Sequence, residues 1–198
     1  MRRRAALAAL LLPTLARAAP AGISFTIQRN GADVGTHLVR FRDEGPALLA
    51  ISEVRITVRL AGFTVFRYEN DTTERWVGDA LAALDARVAR NGRETVCTAR
   101  RVANGIALRG ATGEALLPPD SVPLTWWRAA SLATPRPLFD PRRGEAVRSD
   151  VMRMRDAYGL KVRVAGTETF EAIYDAAGTW VGLSTQGEDG STAIYRPA

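Results

Sequence analysis

The residues that most often carry enzyme chemistry are scarce in this chain. Its 198 residues include one histidine, His37, and one cysteine, Cys97. A Ser-His-Asp triad would have to use His37, and a Cys-His pair would have to join the two. Alternation along Gly35-Thr36-His37-Leu38-Val39-Arg40-Phe41 puts His37 on the same side as Val39 and Phe41. We interpret His37 as a partly buried strand residue hydrogen-bonded to a neighbour, with a general base as the alternative.

Cys97 has no second cysteine with which to form a disulfide within the chain. It lies in an extended-looking stretch, Glu94 to Ala99, which favours a small, buried, inert side chain over a reactive thiol. With only one histidine and one cysteine, nearly every metal site built from those ligands is excluded. We predict no metal site and no cofactor.

The acidic residues that could act together are concentrated in one short stretch. It contains four carboxylates around Trp76, namely Glu69, Asp71, Glu74 and Asp79. Two carboxylates beside an aromatic ring suit glycoside hydrolysis, whereas a polar hairpin loop explains the same residues without any reaction. We expect the loop, predict that the protein is not an enzyme, and keep a carboxylate-dependent hydrolase as an alternative.

The aromatic residues point more clearly to a binding site. The stretch from Phe63 to Tyr68 has apolar groups on both faces of one strand, which predicts that this strand is covered on both sides. Trp126 and Trp127 are adjacent, so on a helix or strand one indole should face a rim, a pocket mouth or an interface. The candidate ligand-binding residues are Phe66, Tyr68, Trp76, Trp126, Trp127 and Arg128, the arginine serving an anionic head group.

The sequence pattern around these residues predicts strands. Val54, Ile56, Val58 and Leu60 alternate with polar residues, as in antiparallel sheet with one solvated face. Asn-Gly pairs at 30–31, 91–92 and 104–105 favour tight hairpin turns, and Ala177-Gly178 and Asp189-Gly190 resemble two more. This predicts an all-β fold, a curled antiparallel sheet forming an open β-barrel or β-roll, with one short helix near 124–132.

One stretch leaves the choice between strand and helix open. Residues 79–90 are rich in alanine and leucine, and Leu81, Leu84 and Val88 have helical spacing. Leu84, Ala86 and Val88 also alternate with polar residues, and Asn91-Gly92 would pair the stretch with the strand-like residues after it. We favour a strand here.

The first eighteen residues have the three parts of a secretory signal peptide. Three arginines, a short apolar run from Ala5 to Leu12 and the Ala16-x-Ala18 site predict cleavage after Ala18. Residues 19–198 would then form a single β domain without a transmembrane segment. Without the four arginines of residues 1–18 the net charge falls from +6 to +2, and the charges alternate in sign, so nucleic-acid binding is not expected. The export route, general secretory or twin-arginine, is left open.

The C-terminal part adds a resemblance to a known group of proteins. Residues 173–183, IYDAAGTWVGL, followed by Asp189-Gly190-Ser191 and Tyr195, resemble a proteobacterial family of exported proteins of unknown function. The earlier stretches Gly35 to Phe41 and Glu74-Arg75-Trp76 are similar to landmarks of the same family. The resemblance implies a periplasmic antiparallel β fold with no established activity.

Two kinds of function remain after enzymes are set aside. The first is an exported, periplasmic or secreted binding module whose partner is a lipid-like or otherwise amphiphilic small molecule, held on the concave side of the sheet. The alternative is an envelope structural or protein-interaction protein with a solid core and a protein partner. The oligomeric state is left open.

Overall fold

The computed structural model describes residues 19–166, 168–186 and 190–198. The predicted signal peptide, residues 1–18, lies outside these ranges, as does Asp189 of the predicted Asp189-Gly190 turn. Within them the chain forms sixteen strands and one helix of four residues. The predicted all-β class with one short helix is confirmed.

Thirteen strands form one antiparallel sheet. They are β1 (Ile23–Arg29), β2 (Ala32–Glu44), β3 (Ala47–Leu60), β4 (Phe63–Val77), β5 (Ala80–Arg90), β6 (Arg93–Val102), β7 (Gly105–Gly110), β8 (Gly113–Leu117), β12 (Asp150–Asp156), β13 (Gly159–Ala165), β14 (Thr169–Asp175), β15 (Trp180–Gln186) and β16 (Thr192–Pro197). Their order in space is β12-β13-β14-β15-β16-β1-β2-β3-β4-β5-β6-β7-β8. The last strand pairs with the first, so both halves of the chain join in one open, curled sheet with β12 and β8 at its edges.

The segment between the two edge strands, which we call the plug segment (residues 118–149), folds separately from the large sheet. It contains β9 (Val122–Pro123), α1 (Ala129–Leu132), β10 (Leu138–Asp140) and β11 (Glu145–Ala146), and the three strands form a small sheet. Leu132 and Phe139 of the plug segment are fully buried and belong to the same apolar cluster as the inward residues of the large sheet. The plug segment therefore fills part of the space that the curled sheet encloses.

Turn chemistry explains most of the hairpins. Asn30-Gly31 and Asn91-Gly92 both have positive φ angles, 52° and 79° in the first pair and 50° and 81° in the second, as tight hairpin turns require. At the third predicted Asn-Gly turn the hairpin pairs Val102 with Gly105, so the turn falls one residue earlier than predicted. Ala61-Gly62, which the sequence analysis did not single out, also has positive φ angles of 48° and 85° and joins β3 to β4.

The ambiguous stretch at residues 79–90 is a strand, β5, as favoured from the sequence. Its pairing with β4 shifts register at Ala82, because Trp76 pairs with Leu81 while Arg75 pairs with Ala83. This β-bulge places both Leu81 and Leu84 on the inward side, where both are buried. The helical spacing of the leucines is thus produced by a bulge within a strand.

Candidate functional site

The inward side of the curled sheet encloses a cavity of about 490 Å³ next to the plug segment. This volume falls in the range of about 300–1,000 Å³ that is usual for small-molecule sites. The apolar part of the wall is aliphatic along β1 to β3, and most of the aromatic side chains lie on other elements. Its main apolar residues are Ile27, Val34, Val54, Ile56, Val58, Phe66, Tyr68, Trp126, Trp127, Phe170 and Tyr195. The concave side of the sheet therefore holds an apolar space beside a filled core.

The alternation of the strands explains why these residues share one wall. Val54, Ile56 and Val58 are every second residue of β3, so all three face the same side. Across the β3–β4 ladder, Ile56 is directly opposite Tyr68 and Val58 is opposite Phe66. Residues directly opposite each other in an antiparallel pair project to the same side, which continues the wall from aliphatic to aromatic side chains.

The cavity has a closed end and an open end. At the closed end its wall contains polar side chains that are buried, His37, Ser52 and Thr72. At the other end the lining includes Val65, which is 53% exposed, and the exposed Arg90. A molecule in solution can therefore reach the cavity from the end formed by the β3–β4 and β5–β6 hairpins.

His37 is the most unusual polar group in the wall. Its Nε2 is hydrogen-bonded to Ser52 Oγ at 2.7 Å, and its ring packs edge-on against those of Trp180 and Tyr195. Burial lowers the pKa of His37 to about 4, because the charged imidazolium is poorly solvated there. The ring is neutral at neutral pH, and its buried Nδ1 has no hydrogen-bond partner within the described residues. The predicted bond to a neighbour is therefore present, through the other ring nitrogen.

The charged groups of the lining are unevenly distributed. Arg142 lies in the wall, where its guanidinium donates to Asp140 at 2.7 Å and to Glu168 at 2.8 Å. Its positive charge is therefore compensated by two carboxylates. Arg29 and Arg90 also line the cavity, and the Arg90 guanidinium lies 5.6 Å from the centre of the Phe66 ring. Two guanidinium groups therefore lie among the residues that line the open end.

Glu74 is buried behind this wall and holds part of it in place. It is a fully buried carboxylate that accepts hydrogen bonds from the indole N–H of Trp127 at 2.9 Å and from that of Trp76 at 2.8 Å. Burial raises the pKa of Glu74, while the two indole hydrogen bonds and the nearby Arg128 oppose the rise. From strand β14 of the same sheet, Tyr174 Oη donates a hydrogen bond to the Trp126 carbonyl oxygen at 2.8 Å. The tryptophan pair is therefore attached to β4 and to β14 at the same time.

The four candidate acids do not form a catalytic pair, and the hairpin loop expected for them is wrong. Glu69, Asp71 and Glu74 lie within strand β4, and only Asp79 is in a turn. Alternation places Glu74 inward and the other two outward, where Glu69 pairs with Arg67 and Asp71 with Arg55. The arrangement of two facing carboxylates that the hydrolase alternative needs is absent from these four residues.

Four of the six candidate binding residues line the cavity: Phe66, Tyr68, Trp126 and Trp127. Trp76 does not, because it is directed into the core and only 1% exposed. Arg128 does not either, since its guanidinium lies 4.4 Å from the Trp76 ring centre and pairs with Asp79 at 2.5 Å. The prediction is corrected at these two positions, and Arg29 and Arg90 are the arginines found at the opening.

Trp126 and Trp127 both line the cavity, in the irregular stretch that precedes helix α1. That one of the two indoles faces a rim, a pocket mouth or an interface stays a prediction. One further expectation about aromatic residues is corrected. The strand from Phe63 to Tyr68 is not covered on both sides, since Phe63 is 76% exposed. Its mixed pattern comes from a bulge, where the β3–β4 register shifts beside Val58 and leaves Val65 unpaired.

Over residues 19–166, 168–186 and 190–198, no group of three or more His, Cys, Asp and Glu side chains is placed to hold a metal ion. In these ranges no helix has both the length and the apolar character needed to cross a membrane.

The fold and the cavity define the class of the protein as an open, barrel-like antiparallel sheet with an apolar space on its concave side. Residues 25–198 match the family described as a domain of unknown function (DUF6134), and the chain belongs to this family. No curated protein matches the chain. The family carries no assigned activity, so it transfers no functional residue.

One solved structure supports the architecture. A protein from Brucella abortus, described as a beta-barrel-like protein of a domain of unknown function (DUF1849), is similar with a TM-score of 0.61 and 11% sequence identity. The similarity covers 93% of this chain and 98% of that chain. At this identity the similarity concerns the fold alone.

Proposed function

We propose that the protein is a non-catalytic binding module whose cavity takes an amphiphilic molecule with an apolar chain and an anionic head group. The observation that carries this proposal is an apolar cavity of about 490 Å³ with arginines at its open end. A space of this size lined by aliphatic and aromatic side chains favours an apolar chain, because burying apolar surface stabilises the complex. Arg29 and Arg90 at the opening favour a negative charge at the end of that chain.

The closed end of the cavity is polar, because the side chains of His37, Ser52 and Thr72 are part of its wall. A ligand that reaches this end of the cavity would be stabilised by a hydroxyl or carbonyl group that hydrogen-bonds to these side chains.

The proposed place of action is outside the cytoplasm, in the periplasm or after secretion. The support is the composition of residues 1–18, with a basic start, a short apolar run and a small-residue cleavage site. A buried single cysteine, which needs no reducing environment, is compatible with this location. The amphiphiles within reach would then be those of the cell envelope.

A fluorescence titration with a long-chain fatty acid tests the proposal. Ala193 lines the cavity on β16, so Ala193→Phe narrows the space and should abolish binding. The matched control is Ile194→Phe, because Ile194 is 41% exposed on the opposite face of the same strand and its replacement leaves the cavity unchanged. Equal binding by both variants, or no binding by the parent protein, would contradict the proposal and favour an envelope protein-interaction role.

The charge of the head group is tested with the same assay. Arg90→Gln should weaken binding of the fatty acid about fivefold while leaving binding of the corresponding fatty alcohol unchanged, since one exposed charge pair contributes up to about 1 kcal/mol. A variant that weakens both ligands equally would show that Arg90 acts through the shape of the opening. In that case the anionic head group would be removed from the proposal.

A further inference from the structure

The tip of the β3–β4 hairpin, residues 60–65, carries apolar side chains that the fold leaves in solvent. Leu60 is 70% exposed, Phe63 is 76% exposed and Val65 is 53% exposed. Single exposed apolar residues are ordinary, but three on one hairpin tip form a patch that usually meets a partner. The cavity described above does not account for Leu60 and Phe63.

Strand pairing places this apolar tip on the same side as the cavity wall. Leu60 follows Val58 by two residues on β3, so it continues the face that lines the cavity. Phe63 is directly opposite Leu60 and therefore projects to the same side. The bulge at Val65 brings that side chain into the cavity lining as well. The apolar wall thus runs without a break from the cavity to the tip.

The surroundings of the tip are positively charged. The β3–β4 and β5–β6 hairpins, residues 59–67 and 90–94, contain four arginines and one acidic residue. Arg67 is paired with Glu69, whereas Arg59 and Arg93 form no ion pair within the described residues and lie next to the tip. An apolar projection surrounded by basic side chains matches the interface of an anionic phospholipid membrane, where apolar groups insert and arginines meet phosphate groups.

We propose that the β3–β4 tip docks on an anionic phospholipid surface, with Leu60 and Phe63 inserted among the lipids. Docking in this orientation turns the open end of the cavity towards the membrane. An amphiphile could then pass between bilayer and cavity without its chain crossing water. The transfer step rests on the proposed binding function, whereas the docking step does not.

Vesicle flotation with the purified protein, whose N-terminus is first determined by intact mass, tests the docking. The probe is a vesicle of equal parts phosphatidylglycerol and phosphatidylcholine, compared with a vesicle of phosphatidylcholine alone. The parent protein should float with the anionic vesicle. Phe63→Ser should weaken this binding at least about tenfold, since full burial of such a side chain contributes about 1.5–3 kcal/mol and each 1.4 kcal/mol is a factor of about ten. Arg59→Gln should weaken it about fivefold, from about 1 kcal/mol per arginine near an anionic surface.

The matched control is Tyr158→Ser. Tyr158 is 88% exposed, but it lies in the β12–β13 turn, and strand directions place that turn at the opposite end of the sheet. Vesicle binding should be unchanged in this variant, and thermal midpoints should show that all variants are folded. Equal loss of binding in Tyr158→Ser and Phe63→Ser, or no flotation of the parent protein, would overturn the docking proposal. Self-association that is lost in Phe63→Ser, without vesicle binding, would overturn it in favour of contact between copies.

The outcome is separable from that of the cavity. Phe63 is outside the cavity lining, so Phe63→Ser should bind the fatty acid normally when no vesicles are present. Ala193→Phe should still float with anionic vesicles although its cavity is filled. If the protein docks on vesicles but binds no ligand, the docking inference holds and the proposed binding function is wrong. If it binds the ligand but does not dock, the binding function holds and the docking inference is wrong.

Discussion

Replacing Trp127 with phenylalanine removes the indole N–H that hydrogen-bonds to Glu74 Oε1. This donor lies 2.9 Å from a carboxylate that is completely buried, so water cannot take its place. A hydrogen bond to a charged group contributes about 1.5–3 kcal/mol, and leaving a buried acceptor unpaired costs a similar amount. We expect Trp127→Phe to lower the free energy of unfolding by about 2 kcal/mol beyond the effect of the smaller ring, or the thermal midpoint by about 4–8 °C for a domain of this size.

The effect of the smaller ring is measured with Trp126→Phe. Trp126 is also half-buried and packs against Phe170 at 5.3 Å between ring centres. Its tie to the sheet uses the backbone carbonyl, which the substitution retains. The difference in stability between the two variants therefore isolates the bond to Glu74.

The stability difference should also depend on pH. Burial raises the pKa of Glu74 above its value in the unfolded chain, so the folded protein binds the proton more tightly and loses stability as pH rises through the interval between the two values. Losing the Trp127 donor raises this pKa further, which extends the interval to higher pH. Chemical denaturation at about pH 5 and about pH 8 should show a smaller penalty for Trp127→Phe at the acidic pH. A penalty equal to that of Trp126→Phe, or independent of pH, would refute the proposed role of Glu74.

Three further predictions follow from burial and from the N-terminal sequence. Because burial lowers the pKa of His37 from 6.5 to about 4, acidification through this interval should destabilise the protein by up to about 3 kcal/mol through this residue. The thermal midpoints at about pH 7 and about pH 5 should therefore differ less in His37→Gln than in the parent protein. If the difference is the same in both proteins, His37 is not the group responsible. Cys97 is 1% exposed, and burial raises its pKa to about 11. A thiol reagent at neutral pH should therefore label Cys97 only after denaturation. Rapid labelling of the folded protein would contradict the position of Cys97 in the core. Intact mass of the protein from the periplasmic fraction should correspond to a chain beginning at Ala19, and a mature N-terminus at Met1 would rule out cleavage after Ala18.

The sequence predicted the strands well because their signals are local. Alternation and positive-φ turns act over a few residues, and they correctly indicated the antiparallel sheet and the strand at residues 79–90. Bulges were harder, because an unpaired residue such as Ala82 or Val65 is visible only once the partner strand is aligned. Each bulge reverses the facing of all later residues, which explains why Val65 and Phe66 both line the cavity. Phe63 lies in solvent because it is at the tip of the hairpin.

The cavity could be predicted only in part. Phe66 and Tyr68 were found from the pattern of one strand, but the position of Trp76 depends on Glu74, whose inward direction was missed when its strand was taken for a loop. Ser52, Arg29, Arg90 and Arg142 were not singled out at all. Their place in the wall depends on pairings across the sheet and on where the plug segment docks, and neither has a local signal in the sequence.

Native mass spectrometry of the protein purified from its native host tests whether the cavity is a binding site. We predict a co-purifying adduct with the mass of a lipid-like amphiphile. The adduct should be absent from Trp126→Ala, which opens the cavity wall, provided that this variant is still folded. A clean mass without an adduct, together with no change in tryptophan fluorescence on adding fatty acids or isoprenoids, would contradict the claim that the cavity is a binding site.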